Sequence, residues 1–437
     1  MNLQETPARD DKAAGQSLAQ LHMRLNHSDN PEAIRAQIRA ALPSVDTARA
    51  LPQKKTPDGK TDVLHMNYMR SRTDAAVEFE HLLFFAKTAQ TLGLRLEILT
   101  DKSCQTELEQ VLEKDEYSSL DYAITVGQRP VAKWAEDSVE YLANGQAVLT
   151  SFDDELLRWA MTAGRRQRWQ QKLTPDDLTE VLRDDHLWIL LGTGVNTLGM
   201  SLERERVARS KGQPVGHIRA YIEGGNMITG ENAAGSPVIL VGKDAIAATA
   251  NLYQITNDEV KTVIAEDFGL DAPEQVIGVE QPGKFHLDMG MLFIGKGTVV
   301  VNDSSIALKN ALEMAELAPC ITTEKMAAKL QLQYALENDA AKDLATNGLE
   351  VLREQLAEAT FYNFFNGEFV RGKDGADYYI TNGGLKMQEE RFEALMCDRW
   401  NVVKKVFFSP QAIAQKSLQE RGGVGCRLKG SRRLAGA

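Results

Sequence analysis

Four short stretches of this 437-residue chain combine residue types that could do chemistry together. The first is Glu420-Arg421-Gly422-Gly423-Val424-Gly425-Cys426-Arg427-Leu428, where a glycine-rich turn delivers one cysteine. Glycines let backbone crowd a ligand, and Arg421, Arg427 and Lys429 nearby would favour thiolate over thiol, which suits a nucleophile. Taken alone, a structural cysteine after a helix stop is the commoner arrangement. The second stretch, Lys133-Trp134-Ala135-Glu136-Asp137-Ser138, reads by itself as a helix start with acids at the favourable end of the dipole. The third, Tyr221-Ile222-Glu223-Gly224-Gly225-Asn226, reads by itself as a turn. The fourth is Lys284-Phe285-His286-Leu287-Asp288-Met289-Gly290. On a strand, residues two apart share a side, so His286 and Asp288 would face one pocket while Phe285, Leu287 and Met289 face the core. A surface His–carboxylate pair fits that spacing as well.

The elements that must position these groups alternate. Strands are expected at Val63–Tyr68, Leu94–Leu99 and Tyr122–Val126, with helices over 74–92 and 104–114 between them. Further strands are expected at Ala147–Thr150, Leu187–Leu191, Ile218–Tyr221, Val238–Val241, Val276–Val279, Met291–Ile294 and Thr298–Val301, then at Phe369, Tyr378–Ile380 and Val403–Phe408. A helix over 410–420 starts at a proline and stops at Gly422, so Cys426 falls between a helix and a final strand. Such alternation argues for repeated α/β units. Residues 1–58 read as a polar, helical N-terminal arm ending in the turn Lys54-Lys55-Thr56-Pro57-Asp58-Gly59. Residues 59–437 read as one catalytic domain, with a mostly helical insertion at about 307–367 and no strand expected from 307 to 357.

Composition narrows the function classes. A hydrophobic content of 43% is that of a globular chain, and a net charge of −11 argues against nucleic-acid binding, which needs a basic face. Cys104, Cys320, Cys397 and Cys426 lie far apart with no Cys-x-x-Cys pair, so neither a zinc site nor a disulfide scaffold is implied. No signal peptide and no apolar run long enough to span a membrane is visible, so the expectation is a cytoplasmic protein without membrane contact, with homo-oligomerisation left open. The stretch Gly192-Thr193-Gly194-Val195-Asn196-Thr197 has Thr197 where a dinucleotide loop needs its third glycine, so no nucleotide cofactor is expected.

In order, the four stretches supply Trp-x-x-Asp, Glu-Gly-Gly-Asn, His-x-Asp and a glycine-rich loop ending in Cys. This resembles the guanidine-modifying enzymes of the pentein fold: arginine, agmatine and peptidylarginine deiminases and the amidinotransferases. The resemblance spans about residues 60–430, outside the arm and the helical segment, and implies an α/β propeller of five ββαβ-type units around a central site. It implies Cys426 as nucleophile and His286 as acid and base, with Glu223 holding the ring. Asp137 and Asp288 would bind the guanidinium, with Trp134, Asn226 and Arg421 also on the substrate. No cofactor or metal is implied, because a guanidinium is already an activated electrophile. The partner would be a small guanidine (arginine, agmatine or a derivative) or a protein arginine side chain. Amidino transfer to an amine, or a dihydrolase releasing two ammonias, are the alternatives within the fold. A binding module that kept the fold without chemistry fits poorly with Cys426, His286, Glu223, Asp137 and Asp288 all present.

Two departures bear on the substrate. Gly425 stands where deiminases commonly have His, and Arg427 follows where a small or polar residue is usual. Val241-Gly242-Lys243 offers Lys243, not the arginine that grips an α-carboxylate in arginine deiminases.

Overall fold

A computed structural model describes residues 18–25, 28–44, 50–70, 75–128, 131–150, 203–283, 286–358, 361–420 and 422–433. The expected strand at Leu187–Leu191, the Gly192–Thr197 loop and Arg421 lie outside them. Among the described residues, five sheets of three or four strands repeat one plan, and a two-stranded ladder accompanies them. In each, an antiparallel pair is followed by helix and then by a strand parallel to the second member. That order is the ββαβ unit, since a parallel neighbour needs a crossover where an antiparallel one needs only a turn.

One unit pairs Met227–Glu231 with Pro237–Gly242, crosses over through helices Lys243–Tyr253 and Asn257–Asp267, and adds Val276–Val279. The second crossover helix starts where Thr256 and Glu259 form a reciprocal cap. The next pairs Met291–Gly295 with Thr298–Asn302 and returns through Ser305–Leu317 and Ile321–Thr346 to Glu350–Glu354. Another pairs Gly367–Arg371 with Asp377–Thr381 and ends in Lys405–Phe408. Glu140–Tyr141, Ala147–Thr150 and Val215–Ile218 form a further sheet in the same order. The last unit joins the two ends of the chain. Leu428–Ser431 lies antiparallel to Val63–Tyr68, which continues through helix Ala75–Leu92 to the parallel Arg95–Thr100, with Asp121–Val126 on the edge. Apolar faces of strands and crossover helices meet within the units, as where Leu82, Phe85 and Ala89 pack with Leu64, Leu96 and Ile98. No helix of the described residues is long and apolar enough to cross a membrane.

Several expectations require correction. The strand expected at Ile218–Tyr221 lies earlier, at Val215–Ile218, because Arg219 and Ala220 turn away to donate backbone N–H groups to buried Asp267. His286 to Met289 is not a strand: Leu287–Met289 is a single tight helical turn after an extended His286. The helical segment from 307 is a crossover that ends in strand Glu350–Glu354, whose charged ends hid its short apolar centre. Met227–Glu231 was missed because Gly230 interrupts its pattern; a side chain there would strike the Phe293 ring.

Residues 50–59, read as the end of an appended arm, run among the units. Gln53 N–H donates to Tyr141 O and Lys55 N–H to Thr229 O. The Lys55 side chain is 15% exposed, and its ammonium lies 3.2 Å from Glu136 Oε1 and 3.1 Å from Glu140 Oε1 and donates to the carbonyls of Gly224 and Met227. Burial alone would lower its pKa, but the charges of Glu140, Glu136 and Glu368 outweigh that and raise it. Removing one member of a buried charge cluster leaves the others uncompensated. Lys55→Met is therefore expected to lower unfolding free energy by about 3–5 kcal/mol. Urea unfolding at pH 7 checks this, and a loss under about 1 kcal/mol would make Lys55 a spectator.

Candidate active site

Each unit is entered through a short turn just ahead of its first strand, and these turns carry the polar residues. They are Glu136–Ser138, Gly224–Asn226, Leu287–Met289, the bend at 364–366, and the helical turn Val424–Arg427. The first touches both the second and the last, and the second touches the third. Side chains far apart in sequence therefore meet where strands begin.

His286 Nε2 lies 2.7 Å from Glu223 Oε2, and Nδ1 lies 3.9 Å from Asp137 Oδ1. A Cβ on Gly225 would come within 2.6 Å of Nδ1 and 2.9 Å of Asp288 Oδ1, so only glycine lets the backbone of that turn pass so close. Burial lowers the imidazole pKa, but the Glu223 hydrogen bond and charge, joined by Asp137 and Asp288, outweigh it and hold the ring at about 10. The ring is an imidazolium at neutral pH.

Cys426 is buried at 3% exposure. Asn366 Nδ2 donates to its Sγ at 3.2 Å and to Asp288 Oδ2, while the Cys426 N–H donates to Asn366 Oδ1 at 3.3 Å. Asn366 thus ties the thiol to the carboxyl, and sequence reasoning missed it. Its one signal was Asn-Gly at 366–367, a turn pair, at the start of the short strand Gly367–Arg371.

One carboxylate oxygen each of Glu136 and Asp288 lies within 4.8 Å of the other and of Cys426 Sγ. Among the described residues this is the group whose donor set could hold a metal ion. Glu136 Oε2, Asp137 Oδ1 and Asp288 Oδ1 are buried with no N–H donor of the described residues on them, and Asp288 and Glu136 share a side-chain hydrogen bond when a proton is present. Burial pushes the Asp137 carboxyl up to about 7, helped by the Glu223 charge. Burial, and then the Glu136 charge, push Asp288 well above the carboxylate range.

The cysteine corrects an expectation. Arg427 was expected to favour thiolate, but it is buried in a salt bridge with Glu78, and Lys429 is paired with Glu140. Burial and the charges of Asp288, Glu136 and Asp137 push the Cys426 thiol well above its usual range, so it rests protonated.

The remaining expected site residues are placed as follows. Trp134 packs its ring on Gly422 and carries the Arg427 guanidinium 5.2 Å and the Lys133 ammonium 4.8 Å from its centroid. Asn226 Nδ2 donates to Asp244 Oδ1 at 2.8 Å, fixing its own turn to the start of the following helix. Lys243 faces outward and pairs with Asp343. The structure thus brings together Cys426, His286, Glu223, Asp137 and Asp288, with Glu136 and Asn366 added.

No family model matches the sequence, and no curated protein matches it. Solved structures do. A candidate agmatine deiminase superposes with a TM-score of 0.53 at 11% identity, covering 88% of this chain and 96% of that one. A candidate arginine deiminase from Porphyromonas gingivalis gives 0.51 at 13% identity over 88% and 98%. An agmatine deiminase of Enterococcus faecalis gives 0.52 at 10% identity over 89% and 97%. The chain has the pentein fold of these structures.

Glu223 is what keeps His286 charged against burial, so Glu223→Gln is expected to lower the imidazole titration midpoint from about 10 by about two pH units or more. Ring-proton NMR, with the signal assigned by its loss in His286→Ala, reads this directly. An unmoved midpoint would assign the imidazolium to the other carboxylates.

Proposed function

We propose that this chain is a hydrolase that converts a guanidine to a urea-type product and ammonia through a covalent intermediate on Cys426. The observation that carries the reading is the set of buried carboxylate oxygens of Asp288 and Asp137, reached by no N–H donor of the described residues, beside a buried thiol and an imidazolium. Unsatisfied carboxylates in a dry site call for a cation with several N–H donors, and a planar guanidinium supplies both. The fold shared with deiminases supports the same class.

The chemistry follows from the protonation states. In the free site Cys426 is a thiol and Asp288 holds a proton. A guanidinium arriving between Asp137 and Asp288 supplies the positive charge those protons had supplied, so the protons leave to solvent. The thiolate attacks the central carbon and gives a tetrahedral adduct. His286 delivers its proton to the departing nitrogen, which leaves as ammonia from a thiouronium. The same ring, now neutral and still held by Glu223, takes a proton from water as the oxygen adds to that carbon. Collapse breaks the C–S bond, and the hydroxyl proton passes to the departing sulfur, so the urea leaves neutral and Cys426 returns to a thiol.

The substrate proposed is a guanidine without a carboxylate near its reacting end. Among the described cations flanking the site, Lys55, Lys429, Arg427 and Lys133 are each paired with an acid: Glu136 and Glu140, Glu140, Glu78 and Glu420 respectively. Arg421 remains the proposed grip if arginine does bind.

Cys426→Ala is expected to abolish ammonia release from agmatine while the protein stays folded; retained turnover would refute the covalent route. Asp288→Asn removes a charge-assisted partner of the cation, worth about 2–5 kcal/mol, and kcat/KM should fall by about thirtyfold or more. Because a cation binds the ionised carboxylate, affinity of the Cys426→Ala protein for agmatine should rise with pH through about 7, the Asp137 value. Asp137→Asn should erase that rise. Comparing kcat/KM for agmatine, arginine and doubly blocked arginine tests the substrate: a preference for arginine that vanishes in Arg421→Ala would overturn the carboxylate-free reading.

A further inference from the structure

Glu136 takes no part in the mechanism above, and its position is hard to explain by folding alone. Its side chain is 4% exposed, with Oε1 held by Lys55 Nζ at 3.2 Å and Oε2 buried with no N–H donor of the described residues on it. It lies against Gly224, where a Cβ would strike the Glu136 carbonyl oxygen at 2.2 Å and its Cγ at 2.9 Å, so the two turns approach this closely only with glycine there. In the free site the raised Asp288 carboxyl shares a side-chain hydrogen bond with Glu136, and ionising Asp288 removes that proton, leaving two buried acceptors that need a new donor.

We propose that Glu136 is a third substrate-binding carboxylate, which with Asp288 grips one unsubstituted terminal NH2 of the guanidinium beside Cys426. The inference rests on the guanidine reading of this site. Three atoms no more than 4.8 Å apart, one each from Glu136, Asp288 and Cys426, define a triangle. A nitrogen at its centre lies at most ~2.8 Å from each corner, which is hydrogen-bond length. An NH2 there donates one N–H to each carboxylate, which leaves the adjoining carbon next to Sγ. Asp288 likewise has a buried oxygen, Oδ1, that no N–H group of the described residues reaches. The other charged groups facing Glu136 are Lys55 and Lys429 below it and Asp137, Glu140 and Glu368 around it. Lys55 therefore fixes one oxygen of Glu136 and leaves the other for the ligand. A nitrogen carrying an alkyl group has only one N–H to give and places carbon in the triangle, so the site selects for a bare terminus.

The test uses calorimetric binding to the full-length Cys426→Ala protein. Agmatine should bind at least about tenfold more tightly than agmatine carrying a methyl on each of its two terminal guanidino nitrogens, which has no NH2 left to enter the triangle, since a charge-assisted hydrogen bond is lost. Adding Glu136→Gln should weaken agmatine by about tenfold or more and narrow that difference. Equal affinities for the two ligands, an arm that needs no change at Glu136, would overturn the proposal even if Glu136→Gln fails to fold. Unchanged agmatine affinity in folded Glu136→Gln would overturn it too and leave Glu136 as a partner of Lys55. If folded Cys426→Ala binds no guanidine at all, the guanidine reading itself falls, a result distinct from either.

Discussion

The site depends on confining more negative charge than a dry interior tolerates. The charges of Asp288, Glu136 and Asp137 bear on one buried thiol, Glu223 sits on the neighbouring imidazole, and Glu136 and Asp288 each have an oxygen within 4.8 Å of the other. At that distance two full charges repel by about 3–4 kcal/mol even at an effective dielectric of 20. Two cations built into the chain absorb part of the excess: the His286 imidazolium against Glu223, and Lys55 beneath Glu136 and Glu140. The remainder is held as protons on Asp288 and, below about pH 7, on Asp137. An incoming cation can displace those protons, whereas a neutral molecule of the same shape has nothing to offer in exchange. Perturbed carboxyls in such a cluster mark function more often than folding.

The repeat explains how residues so far apart meet. Each unit begins with a turn ahead of a buried strand, and one polar residue placed in each turn is enough to build a centre that no single unit could hold. Because those turns precede regular sheet, their side chains inherit its rigidity. The strand Leu428–Ser431 closes the arrangement by pairing with Val63–Tyr68, so the cysteine turn is fixed by hydrogen bonds to the opposite end of the chain. Lys55 does the same for the interior, since its ammonium binds groups from two units at once.

Much of this was legible because the entry turns advertise themselves. Paired glycines after Glu223, His-x-Asp before an apolar strand, and glycines around Cys426 are local signals, and each falls at a strand boundary that periodicity also marks. What was hidden had no local signal. Glu136 looked like an ordinary acid at a helix start, and Lys55 like one end of a charged turn; only burial distinguishes them, and burial is a property of the assembled units. Asn366 lay in a stretch set aside as a helical insertion, because Ile321–Thr346 and the charged Glu350–Glu354 strand masked the unit boundary that follows. The His286–Asp288 pair was read on the right side for the wrong reason. A tight turn after an extended residue brings i and i+2 into one site as a strand would, though by a different geometry.

The protonated thiol carries the argument furthest. Three cations near Cys426 in sequence suggested a standing thiolate, yet two of them are committed to Glu78 and Glu140, and Arg421 lies outside the described residues. Without a ligand, the neighbouring carboxyls disfavour any negative charge on sulfur. Oxidation and alkylation proceed through the thiolate, so the same arrangement keeps the resting cysteine inert. On the reading proposed above, charge supplied by the substrate does what a permanent base would do elsewhere: it lowers the cost of ionising Asp288 and Cys426 together. Under that proposal nucleophile activation and substrate recognition would be one electrostatic event, and a molecule that brought no cation to the carboxylates would also fail to create the nucleophile that attacks it.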